Sequence, residues 1–144
     1  SEGPGVLGWE ARPAGGRPPP GGPPPPVTRR LVEGGALTSK SCVFCAIVAR
    51  EEPATIRYED DEIIAFDNVL HWAPVMVLVI PKRHMSQEEM WRDMGRVGQV
   101  AIQLGNELSP RGFRLLSNFG PNALQSQSHS HVHVVGGRFL GPYV

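Results

Sequence analysis

The chain has 144 residues, 14 basic and 14 acidic side chains and no net formal charge, so it carries no basic footprint for nucleic acid or an anionic membrane surface. The longest apolar run, Ala73 to Ile80, is far too short to span a bilayer. Two cysteines spaced Cys-x-x-Cys, with no signal-like start, point to reduced thiols and a cytoplasmic protein.

Residues 1–40 include Arg17-Pro18-Pro19-Pro20-Gly21-Gly22 and the run Pro23 to Pro26. Such a stretch has too little apolar surface to offset the entropy of ordering, which predicts a Pro/Gly-rich disordered tail. A folded domain is then expected over 41–144. It opens with a short helix, because Val43, Phe44, Ile47 and Val48 follow helical spacing and Pro53 closes the segment. Ile56–Glu59 and Ile63–Asp67 read as two strands joined by the acidic turn Asp60-Asp61. Val75–Ile80 reads as a strand buried on both faces and stopped by Pro81. Ser86-Gln87-Glu88-Glu89 has the form of a capping box. Behind it Met90, Met94, Val97, Ala101, Leu104 and Leu108 recur at helical period, predicting one long amphipathic helix that ends before Pro110. Residues 113–118 follow as a strand, and 119–128 as a loop of Gly, Pro, Asn, Gln and Ser, a composition suited to binding anions.

The next segment is His129-Ser130-His131-Val132-His133-Val134-Val135. Its alternation predicts a half-buried strand with His129, His131 and His133 on one face. Two chemistries compete for such a row. At about 3.3 Å per residue the outer histidines start roughly 13 Å apart, too far for all three to meet at one tetrahedral ion with bonds of about 2 Å, although a pair could chelate. Nucleophilic catalysis employs all three: the central imidazole attacks while its neighbours orient it, donate protons or hold an anion.

Read on through Gly136-Gly137-Arg138, the row resembles the signature of the histidine triad (HIT) family in its Hint branch, the purine nucleoside phosphoramidate hydrolases. Ser130 stands where the family usually has an apolar residue. The resemblance runs from about Ser41 to Arg138. It implies an α+β fold, HIT-like, with about five mostly antiparallel strands, one long and one short helix, and a homodimer. It also implies an enzyme that hydrolyses nucleoside phosphoramidates or aminoacyl-adenylate-like conjugates. His131 would form a nucleotidyl-histidine, His133 would hold phosphate oxygens and assist the leaving group, and His129 would keep His131 in its reactive tautomer. The resemblance assigns Val43, Phe44 and Ile47 to the purine wall, where they also read as plain core. Asn68, in the segment that starts at Phe66, falls at the ribose position, and Asn118 and Ser126, with Gln125 beside them, fall at the phosphate and leaving group. The partner is then a purine nucleotide or a nucleoside monophosphate conjugate. The alternatives on the same fold are a dinucleoside polyphosphate hydrolase, a nucleotidyl transferase, or a nucleotide-binding module with little turnover.

One position bears on metal. In zinc-containing relatives, cysteines placed like Cys42 and Cys45, the first triad histidine and a histidine in the third strand form a tetrahedral site. Here that strand carries Met76. His71 is the nearest spare imidazole, and His84 reads as a structural hydrogen-bonding residue. The ligand set therefore reads as incomplete, and two reduced thiols, no metal and no cofactor are expected.

Overall fold

The computed structural model describes residues 41–142, so the tail expected over 1–40 lies outside the described residues. The chain order is helix α1 (Val43–Val48), strands β1 (Ile56–Glu59), β2 (Ile63–Asp67) and β3 (Val75–Pro81), helices α2 (Gln87–Arg92) and α3 (Gly95–Leu108), β4 (Phe113–Leu116), a short 3₁₀ turn (Pro121–Ala123) and β5 (Val132–Gly136). The five strands form one sheet in the order β1-β2-β3-β5-β4 with every neighbouring pair antiparallel. This is the α+β architecture expected from the resemblance.

Period-two alternation sorts the strands into two faces. Ile63, Ala65, Val77, Val79, Val132 and Val134 pack against Val97, Val100, Ala101 and Leu104 of α3 and Met90 of α2. On the other face Ile64, Phe66, Leu78 and Ile80 pack against Cys42, Phe44 and Ile47 at α1. Central β3 is buried on both sides, as its continuous apolar run predicts. Gly105 lets α3 approach β4, since a Cβ there would lie 2.3 Å from the Phe113 ring.

Three features differ from their sequence expectation. The single long helix is interrupted at Asp93-Met94, and α3 restarts at Gly95, whose φ of 34° is costly for other residues. The capping box is half formed: Ser86 Oγ accepts from the Glu89 N–H at 3.0 Å, but the Glu89 carboxylate pairs with Arg83 instead of reaching back. The histidine strand also starts later than its alternation suggests. Val132 is its first paired residue, opposite Val79, and β3 ends two residues on at Pro81, which has no N–H to offer a ladder. Residues 129–131 therefore overhang the sheet and find other partners.

Candidate functional site

Those partners hold the overhang in place. Ser130 N–H donates to the Met85 carbonyl at 2.9 Å, tying the segment to the turn after β3. His129 is wholly buried, and its Nε2 lies 2.8 Å from the Pro81 carbonyl. A carbonyl only accepts, so the His129 proton sits on Nε2 and Nδ1 keeps a lone pair. That lone pair lies 3.5 Å from Sγ of Cys42 and 3.5 Å from Sγ of Cys45.

His131 has the opposite tautomer. Its Nδ1 lies 2.8 Å from the carbonyl of His129, so the proton is on Nδ1 and Nε2 keeps the lone pair. Desolvation lowers the affinity of its ring for a second proton, which keeps the ring neutral. His133 follows on β5, its ring centroid 5.1 Å from that of His131. Burial, then the nearby His131, pushes its pKa down to about 3, and its Nε2 is a buried atom with no hydrogen-bond partner among the described residues. Phe44 of α1 sets its edge or face against both His129 and His131, at centroid distances of 5.8 and 5.3 Å.

A cavity of about 660 Å³ opens in front of these rings, a size suited to a small-molecule ligand. Val43, Phe44, Ile47 and Phe66 give it an apolar lining, and His131, His133, Asn118, Ser126 and Asn68 line it as well. Asn68 also closes its own turn, its Oδ1 accepting from Leu70 N–H at 3.0 Å. Two of the residues singled out from the sequence do not line the cavity. Gln125 spends its amide on the loop itself, accepting from Gly120 N–H and donating to the Gln127 carbonyl. His129 faces away, toward the cysteines. Met76 lines the cavity and packs against Val135 and Ala73.

The fold brings a fourth candidate ligand to the two cysteines and His129 that the sequence reading left without one. Cys42, Cys45, His84 and His129 bring four ligand atoms within 4.8 Å of one another, with Cys45 Sγ and His84 Nδ1 at 3.3 Å. His84, not a residue at position 76, completes the set; Met76 faces the cavity and His71 is an exposed loop residue. The edges of a tetrahedron around zinc, with Zn–S near 2.3 Å and Zn–N near 2.0–2.1 Å, are about 3.5 Å for S···N, which these contacts match. The donor chemistry fits as well. The Pro81 carbonyl fixes the tautomer of His129 that leaves Nδ1 free to bind, as an outer-shell partner of a metal ligand does. Burial, then proximity to Cys42, pushes the Cys45 thiol up to about 12, so without a cation that sulfur stays protonated.

An antiparallel α+β sheet that presents two imidazoles of a His-x-His-x-His row to a ligand-sized cavity is the arrangement of the histidine triad class of fold. The comparisons with known proteins agree. Residues 49–140 match the HIT domain family model. The 14 kDa zinc-binding protein of Brassica juncea is 38% identical over 104 residues, covering 67% of this chain and 92% of that protein. Adenylylsulfatase HINT1 of Arabidopsis thaliana is 36% identical over 104 residues, covering 67% and 71%. Among solved structures, a HIT family hydrolase from Clostridium thermocellum is 35% identical with a TM-score of 0.66, covering 76% of this chain and 99% of that one. The chain belongs to the HIT family, in its Hint-like branch.

Proposed function

We propose that the protein hydrolyses nucleoside phosphoramidates or aminoacyl-adenylate-like conjugates at the α-phosphorus, releasing a nucleoside monophosphate. The observation that carries this reading is the state of His131: neutral, its Nδ1–H committed to the His129 carbonyl and its Nε2 lone pair uncommitted, in a cavity wall beside His133. Nε2 attacks phosphorus, the P–N or P–O bond to the leaving group breaks, and the leaving group takes its proton from solvent water that enters the cavity. Water then attacks the nucleotidyl-histidine, the P–N bond to the imidazole breaks and His131 is regenerated. His133 Nε2, Asn118 and Ser126 hold the phosphoryl oxygens, while Val43, Phe44, Ile47 and Phe66 take the purine and Asn68 the ribose. The name of the plant relative, adenylylsulfatase, supports a nucleotidyl group as the part retained, and the clostridial one is called a hydrolase. Incubation with adenosine 5′-phosphoramidate tests the reading. The native chain releases AMP and His131→Ala does not; equal turnover by both would remove His131 as nucleophile.

In the same reading Cys42, Cys45, His84 and His129 hold a zinc ion. When bound, it would cross-link α1, the turn after β3 and the segment ahead of β5. One equivalent of zinc in purified protein, lost together with melting temperature on chelation, is the expected result. The homodimer of the branch also belongs here, supported by β4 at a sheet edge and by exposed Ile102 and Phe119. A second reading, nucleotide binding with little turnover, is favoured by Met76: a thioether lining the cavity has no proton to give a leaving amine. AMP binding by a native chain that leaves the phosphoramidate intact would select it.

A further inference from the structure

The main chain of His131 is held by side chains from outside its own strand. Its N–H donates to Oε1 of Gln87 at 3.1 Å, and its carbonyl accepts from the Ser117 hydroxyl at 2.6 Å. The Ser117 oxygen in turn accepts from the indole Nε1–H of Trp91 at 2.9 Å. Gln87 and Trp91 are four residues apart on α2, so they share one side of that helix. A single short helix thus reaches both polar groups of one peptide unit's residue, directly at one and through Ser117 at the other.

Gln87 is the more informative of the two. It is 1% exposed, a place where an amide persists only if both its ends are satisfied. Oε1 serves His131, and Nε2 donates to the carbonyl of Asn118 at 3.2 Å. Both partners line the cavity. One rigid planar group therefore fixes the spacing between the attacking residue and the segment that carries Asn118. The interruption at Asp93-Met94 has a use in this light. It lets α3 follow the sheet while α2 sits against residues 117–118 and 131.

We infer that α2 is a positioning element for the reaction: Gln87 sets the His131-to-Asn118 distance and Trp91, through Ser117, fixes the carbonyl side of His131. This inference rests on His131 being the nucleophile, as proposed above. Neither side chain is among those lining the cavity, so nucleotide affinity, which depends on Phe44, Ile47, Phe66 and Asn68, is left alone, while attack geometry is not. Displacing a reacting group by about 1 Å costs on the order of 100-fold in rate.

The test compares the full native chain with Gln87→Met, which keeps the side-chain length without hydrogen bonds, with Trp91→Phe and with His131→Ala. The measurements are kcat and KM on adenosine 5′-phosphoramidate, thermal unfolding, and ¹⁵N shifts of the His131 ring. Gln87→Met is expected to lower kcat by about 100-fold with KM within about threefold. Its ring spectrum should move from one Nδ1–H tautomer toward a mixture, an effect readable without turnover. Trp91→Phe should lower kcat by about fivefold. A folded Gln87→Met with native kcat and a native ring spectrum overturns the inference. If that variant does not fold, native kcat in Trp91→Phe, whose side chain is partly exposed, overturns it instead. Native turnover by His131→Ala would defeat the nucleophile reading itself, whereas an inactive His131→Ala beside an unaffected Gln87→Met would defeat only the role of α2.

Discussion

The two faces of the sheet are cut from the same strands and serve different ends. One is closed by the 14-residue α3 over Ile63, Ala65, Val77, Val79, Val132 and Val134, all at most 3% exposed. The other is closed only in part, by the six-residue α1 over Ile64, Phe66, Leu78 and Ile80, and beyond that cover Met76, His133, Val135 and Leu116 look into the cavity. A long helix seals a sheet; a short one leaves room for a ligand and for imidazoles that are dry without being packed shut. The difference teaches that the site is made by what α1 fails to cover, and that stability and chemistry should separate by face.

The largest expected effect lies on the open face. His131→Ala should lower turnover of a nucleoside phosphoramidate by at least about 1,000-fold, roughly 4 kcal/mol in the barrier, with little change in the urea midpoint. Leu104→Ala, on the closed face, should do the reverse: a loss of about 2–5 kcal/mol in urea unfolding, with KM unchanged in protein that remains folded. A large KM effect from Leu104→Ala would break the separation.

The acid side of the stability profile sharpens it. Burial holds the His133 pKa at about 3 in the folded protein, against about 6.5 in an unfolded chain. Above pH 6.5 neither state binds the proton; between about 6.5 and 3 the unfolded state binds it and the folded state does not, so stability falls as pH falls, by up to about 1.4 kcal/mol per unit. Urea titrations from pH 7 to 4 should show this slope in the native chain and a shallower one in His133→Asn. The lowered pKa of His131 has a kinetic counterpart: the acid limb of kcat should lie below pH 6.5. The smallest effect belongs to neither face. Arg83→Ala removes an exposed pair with Glu89 at 3.4 Å and should change stability by less than about 0.5 kcal/mol, read from the same unfolding curves.

Much of this was legible along the chain. The alternation in β2, β3 and β5 assigns each side chain to its face without any knowledge of what packs there, because a pleat has period two. Helical spacing likewise gives α1 its apolar stripe, while a pocket wall at Val43, Phe44 and Ile47 is what the resemblance implied. The Cys₂His₂ cluster was not legible in full. Cys42 and Cys45 announce themselves by proximity, but His84 meets Cys45 across 39 residues of chain and only because β3 ends at Pro81 and the turn after it docks on residues 129–131. Gln87 was hidden for a related reason. In the sequence it is an interior residue of a capping box, and nothing local reveals that its amide is enclosed between two other segments.

The residue order alone thus determined which stretches are strands and helices, their faces, and an imidazole row unsuited to holding one ion with all three rings, since these depend on rise per residue and periodicity. Which way each imidazole of that row is used came only with the fold. His129 sits against the thiols with its ring bonded to the Pro81 carbonyl, and His131 and His133 line the cavity, because a side chain's partners are fixed by what lies across from it in space.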